Sequence, residues 1–567
     1  MKAIGIKNAH PGAGRPASGV GAGIYYCAAP AARLKATGPR ALIALLLAAL
    51  VISAAAAPVT AAALEGQGVK ESNNKIIREA MKAIRSGRYE DAISLYGQVL
   101  SADKNNVQAH VGAALAHLKS RDYRLCFQQA GEAIKADPTS ARARALAGLA
   151  LLRSGYINNA VREVNEAFKL DSKEPMAYWA ASEIDYYEGR PDDARIKSYR
   201  AHVLDRDEPD YLITFARASS QMEMFKDAAD AYDAFLRIAP QNDKDRRDAI
   251  KGLIQFYRRL GGVNVHQISG AAVAEVPFRL GGDRRPYIKV KVNGRDATFV
   301  IDTGSGFTVI SKDSAKRLGV SEIAQGGKSQ AFGGDGKFLI VYGLLKSLEL
   351  GETKVKSVPC YIQRLHYAQN APPGERADGY IGLSVLTHFL TQLDYKENVM
   401  RLDRDLEGAG SAVAALPEAT VIPFRRTQNG LISIETEFNG NQRINAILDS
   451  GASSMVISAA AVERFNLRDQ IIKGQTVQVF GAAGVANDVE LLFLPNCRVA
   501  DIQQSNLRAL VLDFGAINET TGFEQSGILG GDFLRHFRVT IDFSRALLAF
   551  QPNIKGEPKG VAQPDSQ

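Results

Sequence analysis

An α-helical repeat solenoid followed by two tandem all-β lobes is the multidomain fold class that this 567-residue sequence predicts. Three observations carry the prediction. Small residues recur at a constant step of 34, at Ala92, Cys126, Ala160, Ala194 and Ala228. Near Ala271 the hydrophobic period changes from helical to alternating. Everything after that point reads as one module written twice. A chain of this length outgrows a single hydrophobic core. The expected layout is an N-terminal extension over 1–69, a repeat domain over 70–262, a linker over 263–274, a first lobe over 275–405, a linker over 406–420, a second lobe over 421–553 and a tail over 554–567.

Residues 41–57, ALIALLLAALVISAAAA, are uncharged, preceded by Arg33, Lys35 and Arg40 and followed by PVTAAA. Their length suits the core of an export signal better than a membrane span of about 20 residues. Cleavage is expected after Ala63, with an uncleaved membrane tether through 41–57 as the alternative, and the body is placed outside the cytoplasm, periplasmic or secreted. The net charge of +8 is spread along the chain. No basic helix or aromatic-basic cluster suits nucleic acid, so none is expected as a partner. Cys27, Cys126, Cys360 and Cys497 show no CxxC spacing and no adjoining His pair, so no metal and no cofactor are expected. Free buried thiols are the reading for them, a Cys360–Cys497 bridge the alternative.

In the repeat region Asp103, Asp137, Asp171 and Asp205 also step by 34, each ending a helical stretch such as EDAISLYGQVL. Gly87, Gly155 and Gly189 fall in the turns between paired helices, where a left-handed backbone favours Gly. The pattern resembles the tetratricopeptide repeat from about Asn73 to Pro240, with Tyr89, Tyr123 and Phe225 as the aromatic before the small residue. Pro191 departs from it, as do Arg121 and Glu223 at the turn glycine, so distortion is expected in those repeats. The stretch from Asp245 to Gly262 reads as a capping helix. The resemblance implies a concave groove that binds a protein partner, with a plain spacer as the alternative.

Around Asp302 the sequence reads FVIDTGSGFTVIS, and around Asp449 AILDSGASSMVIS. The match extends outward. Val276-Pro277-Phe278-Arg279 pairs with Ile422-Pro423-Phe424-Arg425, and the hairpin turn Asn293-Gly294 with Asn439-Gly440. Ala331 to Gly336 pairs with Val479 to Gly484. Gly379 to Gly382, with His388 and Asp394, pairs with Gly527 to Gly530, with His536 and Asp542. Two Asp-[Ser/Thr]-Gly strings, each with its own strand, Gly-rich hairpin and apolar-Gly turn, form a specific constellation. It resembles the retropepsin and pepsin families of aspartic peptidases over about Ala271 to Pro552.

The resemblance implies a peptide or protein substrate and a catalytic pair, Asp302 and Asp449. Two carboxylates about 3 Å apart cannot both ionise, so one serves as base toward water while the other, protonated, donates to the scissile carbonyl. It further implies that Gly304 and Gly451 admit close backbone approach and that Thr303 and Ser450 lock the two loops. By the same resemblance Ser305, of the pepsin type, is expected to hydrogen-bond Asp302, which Ala452, of the retropepsin type, cannot do for Asp449, so Asp302 is expected to be the more acidic member. Phe332, Gly333 and Gly334 in the first copy and Phe480, Gly481 and Ala482 in the second fit flap tips that close over substrate. Asp394, Asp542, His388 and His536 are read as scaffold. The competing function is an inactive peptide-binding scaffold on the same fold. A further variant pairs equivalent lobes of two chains, since the sequence does not set the oligomeric state.

Overall fold

The computed structural model describes residues 57–330, 337–366, 376–408, 413–440 and 442–553. Residues 71–567 separate as a unit from the segment before them. No helix among the described residues is long and apolar enough to cross a membrane; the 41–57 segment lies outside them, as do Cys27 and the flap residues Phe332, Gly333 and Gly334.

Five helix pairs and a cap form the first half. After Ala57–Arg85 and Tyr89–Ala102 come Val107–Lys119 with Tyr123–Ala136, Ala141–Arg153 with Ile157–Leu170, Pro175–Tyr187 with Pro191–Leu204, and Asp210–Gln221 with Phe225–Ile238; Lys244–Leu260 closes the stack. The 34-residue ruler has a packing cause. Ala92, Cys126, Ala160, Ala194 and Ala228 are all fully buried, where only a small side chain lets neighbouring helices approach. The repeated Asp has a capping cause. Asp103, Asp137, Asp171 and Asp205 each end a helix in extended conformation, and their carboxylates accept the N–H two residues on, as from Thr139 at 2.9 Å and Lys173 at 2.8 Å.

The turns correct one expectation. Arg121 and Glu223 adopt φ of 66° and 58°, the left-handed conformation that Gly87, Gly155 and Gly189 adopt at 73°, 81° and 76°. The geometry is kept without the glycine, at about 1–2 kcal/mol each, because the flanking helices dictate it.

Three sheets build the second half. A central six-stranded antiparallel sheet runs in the order Thr420–Pro423, Leu547–Pro552, Phe537–Asp542, Leu390–Asp394, Val399–Asp403 and Val273–Leu280. Three strands come from each copy, joined where Thr391 faces Ile541 and Leu393 faces Val539. Each copy adds its own sheet, and one hydrophobic core spans both. The matched turns Asn293-Gly294 (φ 52°, 79°) and Asn439-Gly440 (48°, 95°) are left-handed at both residues, which the right-handed strand twist favours in two-residue hairpins. Asp394 and Asp542 cap the turns after their strands, and Asp394 also meets Arg538 of the other copy at 2.6 Å.

The stretch 263–274, expected as a linker, is ordered structure. Gln267–Gly270 pairs with Thr353–Gln363, and Val273 begins the outer strand of the central sheet. The array packs directly on both copies. Its last helices share a core with the first through Phe256, Tyr257, Ala324, Ile340 and Tyr342. Toward the second, Arg153 pairs with buried Glu183 at 2.7 Å and donates to the Gly522 carbonyl at 2.8 Å, while Phe523 sits in the array's core. Cys126, Cys360 and Cys497 are buried free thiols.

Candidate active site

Each DTG or DSG loop follows a strand buried at its end, Arg295–Ile301 and Gln442–Leu448. The strand bearing the glycine turn lies parallel to it: Ile301 pairs with Ile381, Leu448 with Leu529. The Asp302 N–H donates to the Ile381 carbonyl and the Asp449 N–H to the Leu529 carbonyl, both at 3.0 Å. Gly382 and Gly530 then pass so close to the carbonyls of Phe307 and Ser454 that a side chain would overlap them.

The two loops are cross-braced by four buried hydrogen bonds. The Thr303 hydroxyl donates to the Leu448 carbonyl (2.8 Å) and accepts from the Ser450 N–H (2.9 Å). The Ser450 hydroxyl donates to the Ile301 carbonyl (2.8 Å) and accepts from the Thr303 N–H (3.1 Å). Only a hydroxyl both gives and receives in this way. The brace sets Gly304 against the Asp449 carboxylate and Gly451 against that of Asp302; a Cβ on Gly451 would lie 2.6 Å from Asp302 Cγ.

Asp302 and Asp449 are thereby side by side, half-buried and joined by a side-chain hydrogen bond. Removal from water raises both above the usual carboxylate range, Asp302 furthest because the adjoining Asp449 charge adds to it. Asp449 is held lower by the N–H groups of Gly451 (2.8 Å) and Ala452 (3.0 Å) and by the hydrogen bond from Asp302. Asp302 accepts from the Gly304 N–H at 2.9 Å. The Ser305 hydroxyl turns away to the Phe307 carbonyl at 2.8 Å, so the expected cause of a more acidic Asp302 is missing. Two N–H donors at Asp449 against one at Asp302 favour the charge on Asp449.

Other neighbours carried no signal in the sequence. Arg285, buried and held by Asp283 at 2.6 Å and by the Tyr287 hydroxyl at 3.0 Å, opposes the rise of Asp302 from the side. Phe307 stacks on Tyr361, with ring centroids 4.6 Å apart, and Tyr342 stacks on Phe256 of the capping helix at 4.2 Å. In front of the Asp302 loop opens a cavity of about 1360 Å³ whose far wall is the array: Ser305 and Phe307 face a space also lined by Lys119, Arg153, Trp179 and Gln428.

The flap candidates differ. Phe480, Gly481 and Ala482 form the tip between Ile471–Phe480 and Val485–Val499, closed by the Gly481 N–H on the Gly484 carbonyl at 2.8 Å. The first hairpin, Ser321–Gln330 with Lys337–Leu350, is described only below its tip. His388 and His536 also part ways, the first half-buried and the second exposed.

Residues 288–385 and 434–533 match the family model described as aspartyl protease. The two lobes are aspartyl-protease-like domains in tandem, preceded by a tetratricopeptide-like helical array. Among solved structures, the chain is similar to a thermophilic TPR protein of Thermus thermophilus (18% identity, 33% of this chain and 98% of that one, TM-score 0.28). It is also similar to Pseudomonas aeruginosa pilF (18%, 34% and 89%, TM-score 0.26) and to the MamA protein (18%, 30% and 92%, TM-score 0.21). No curated protein matches the chain.

Proposed function

We propose that this chain is an aspartic endopeptidase, complete in one polypeptide, that hydrolyses peptide bonds with water activated between Asp302 and Asp449. The observation that carries the reading is the cross-braced pair itself: two carboxylates held together against their mutual repulsion. Asp449 takes the proton of the attacking water. Asp302 donates its own to the scissile carbonyl oxygen. Thr303, Ser450, Gly304 and Gly451 keep the two within hydrogen-bond reach, while Ala452 contributes its N–H and Ser305 stabilises its own loop.

The array recruits the protein substrate or partner, in keeping with Trp179 and Lys119 lining the cavity that Ser305 of the Asp302 loop also lines. The segment 41–57 supports export from the cytoplasm. A peptide-library digest over a range of pH, comparing the parent with D302N and D449N, tests the reading. Cleavage by the parent that vanishes in both variants is expected; cleavage undiminished in either rejects the dyad, and peptide binding without cleavage in the parent establishes the inactive scaffold instead.

A further inference from the structure

Three side chains far apart in sequence converge at the rim of the cleft. Glu223 stands in the turn before the last repeat helix, His266 in the segment entering the first lobe, and His388 just past the short helix Leu383–Leu386 that follows Gly382. His266 Nδ1 lies 2.7 Å from Glu223 Oε1, His388 Nε2 lies 3.8 Å from the same oxygen, and the two rings sit 4.3 Å apart.

We infer that Glu223, His266 and His388 form a site for a transition-metal dication of the zinc type, which clips the repeat array to the first lobe. Two imidazoles and one carboxylate make a set of three protein ligands that such ions accept with water in the fourth position; a calcium or magnesium site would be built from oxygens.

Two features support it. One ligand atom from each residue lies within 4.8 Å of the others. Zinc bonds of about 2.1 Å place tetrahedral ligands about 3.4 Å apart, so side-chain adjustments of little more than an ångström close the set. Second, the His388 ring already bonds the Ser384 carbonyl. Such a bond fixes the tautomer and leaves Nε2 as the ligand.

Arg426 acts on His388 as a like charge and opposes a cation there; the Glu223 carboxylate offsets it. His536, the matched residue of the second lobe, is exposed, and among the described residues Glu223, His266 and His388 form the one cluster of three such ligands. The ion would tie together three segments, one of which leads back to Gly382 and thus to the Ser305–Phe307 loop.

The test is zinc binding by the full chain, followed by calorimetry, with cobalt(II) absorption reporting geometry. Expected are one ion per chain, a tetrahedral cobalt spectrum and a raised Tm. H266A and H388A should each weaken binding at least tenfold. E223Q, on an exposed turn where folding is safe, should do the same, and D302N should bind as the parent does. Absence of stoichiometric binding, equal affinity in E223Q and H388A to that of the parent, or loss in D302N, which would put the ion on the dyad, overturns the inference.

Discussion

The first flap hairpin and the second occupy equivalent places in the two copies but live in different surroundings. The first lies against the capping helix so closely that Gly252 and Gly326 meet backbone to backbone, and a Cβ on Gly327 would lie 2.6 Å from Ala249 Cα. Below it, Phe256, Phe307, Tyr342 and Tyr361 form a connected aromatic cluster. The second runs through Ile471–Phe480 with most of its side chains in solvent, and Ser454 stands where the first copy has Phe307. At the floor between them the brace is two-fold: each hydroxyl donates across to a carbonyl and accepts an N–H from the opposite loop. What the two copies must build jointly has stayed alike, and what each can build alone has diverged. One lobe has become a fixed wall and the other keeps a free arm.

The largest effect that bears on this contrast lies at the floor. D302N and D449N should each lower kcat by about 10³-fold or more, the scale of positioned acid–base catalysis, measured on the best peptide from the library; unequal losses would show that the symmetry stops at the brace. Next comes the wall. F256A removes an aromatic packed at 4.2 Å on Tyr342 and should cost about 3–5 kcal/mol in denaturant unfolding, with a raised KM because the first lobe's cleft loses its backing. T303V and S450A each strand a buried N–H and a carbonyl, for about 2–4 kcal/mol apiece; the brace predicts equal values, and a gap between them would break the comparison.

The dyad also sets a pH dependence of stability. Both folded-state pKa values are raised, so their contribution is present in acid and is lost as pH climbs through those values. Relative to the D302N/D449N double variant, the parent's unfolding free energy should fall as pH rises above about 4, the carboxylate reference, by about 1.4 kcal/mol for each unit of upward shift. A parent that gains on the double variant instead reverses the assignment. Smallest is the free arm: V477S, on an exposed strand, should change stability by about 0.5 kcal/mol or less. A larger loss would mean that the second flap is held after all.

Much of this was legible in the sequence because it is local or repeated. The 34-residue ruler located the helix pairs, and the doubled Asp-Gly motifs located the Asp302 and Asp449 loops. Where reading failed, the cause was distance. The edge strand Gln267–Gly270 finds its partner more than eighty residues later, so it read as linker. Ser305 was misjudged because its hydroxyl chooses between a carboxylate and the Phe307 carbonyl, a choice set by loop shape. Arg121 and Glu223 keep the turn that their residue types disfavour, since tertiary packing outweighs a local preference of about 1–2 kcal/mol. Glu223, His266 and His388 share no spacing that any motif encodes.

The central sheet imposes an order of events on the molecule. Gln392 hydrogen-bonds Thr540, 148 residues further along, and Thr303 meets Ser450 across 147. A chain made from its N-terminus has finished its repeat helices long before its first lobe can complete the central sheet, whose last strands in sequence are Phe537–Asp542 and Leu547–Pro552. The two acids are strangers until the second copy has been made and folded against the first.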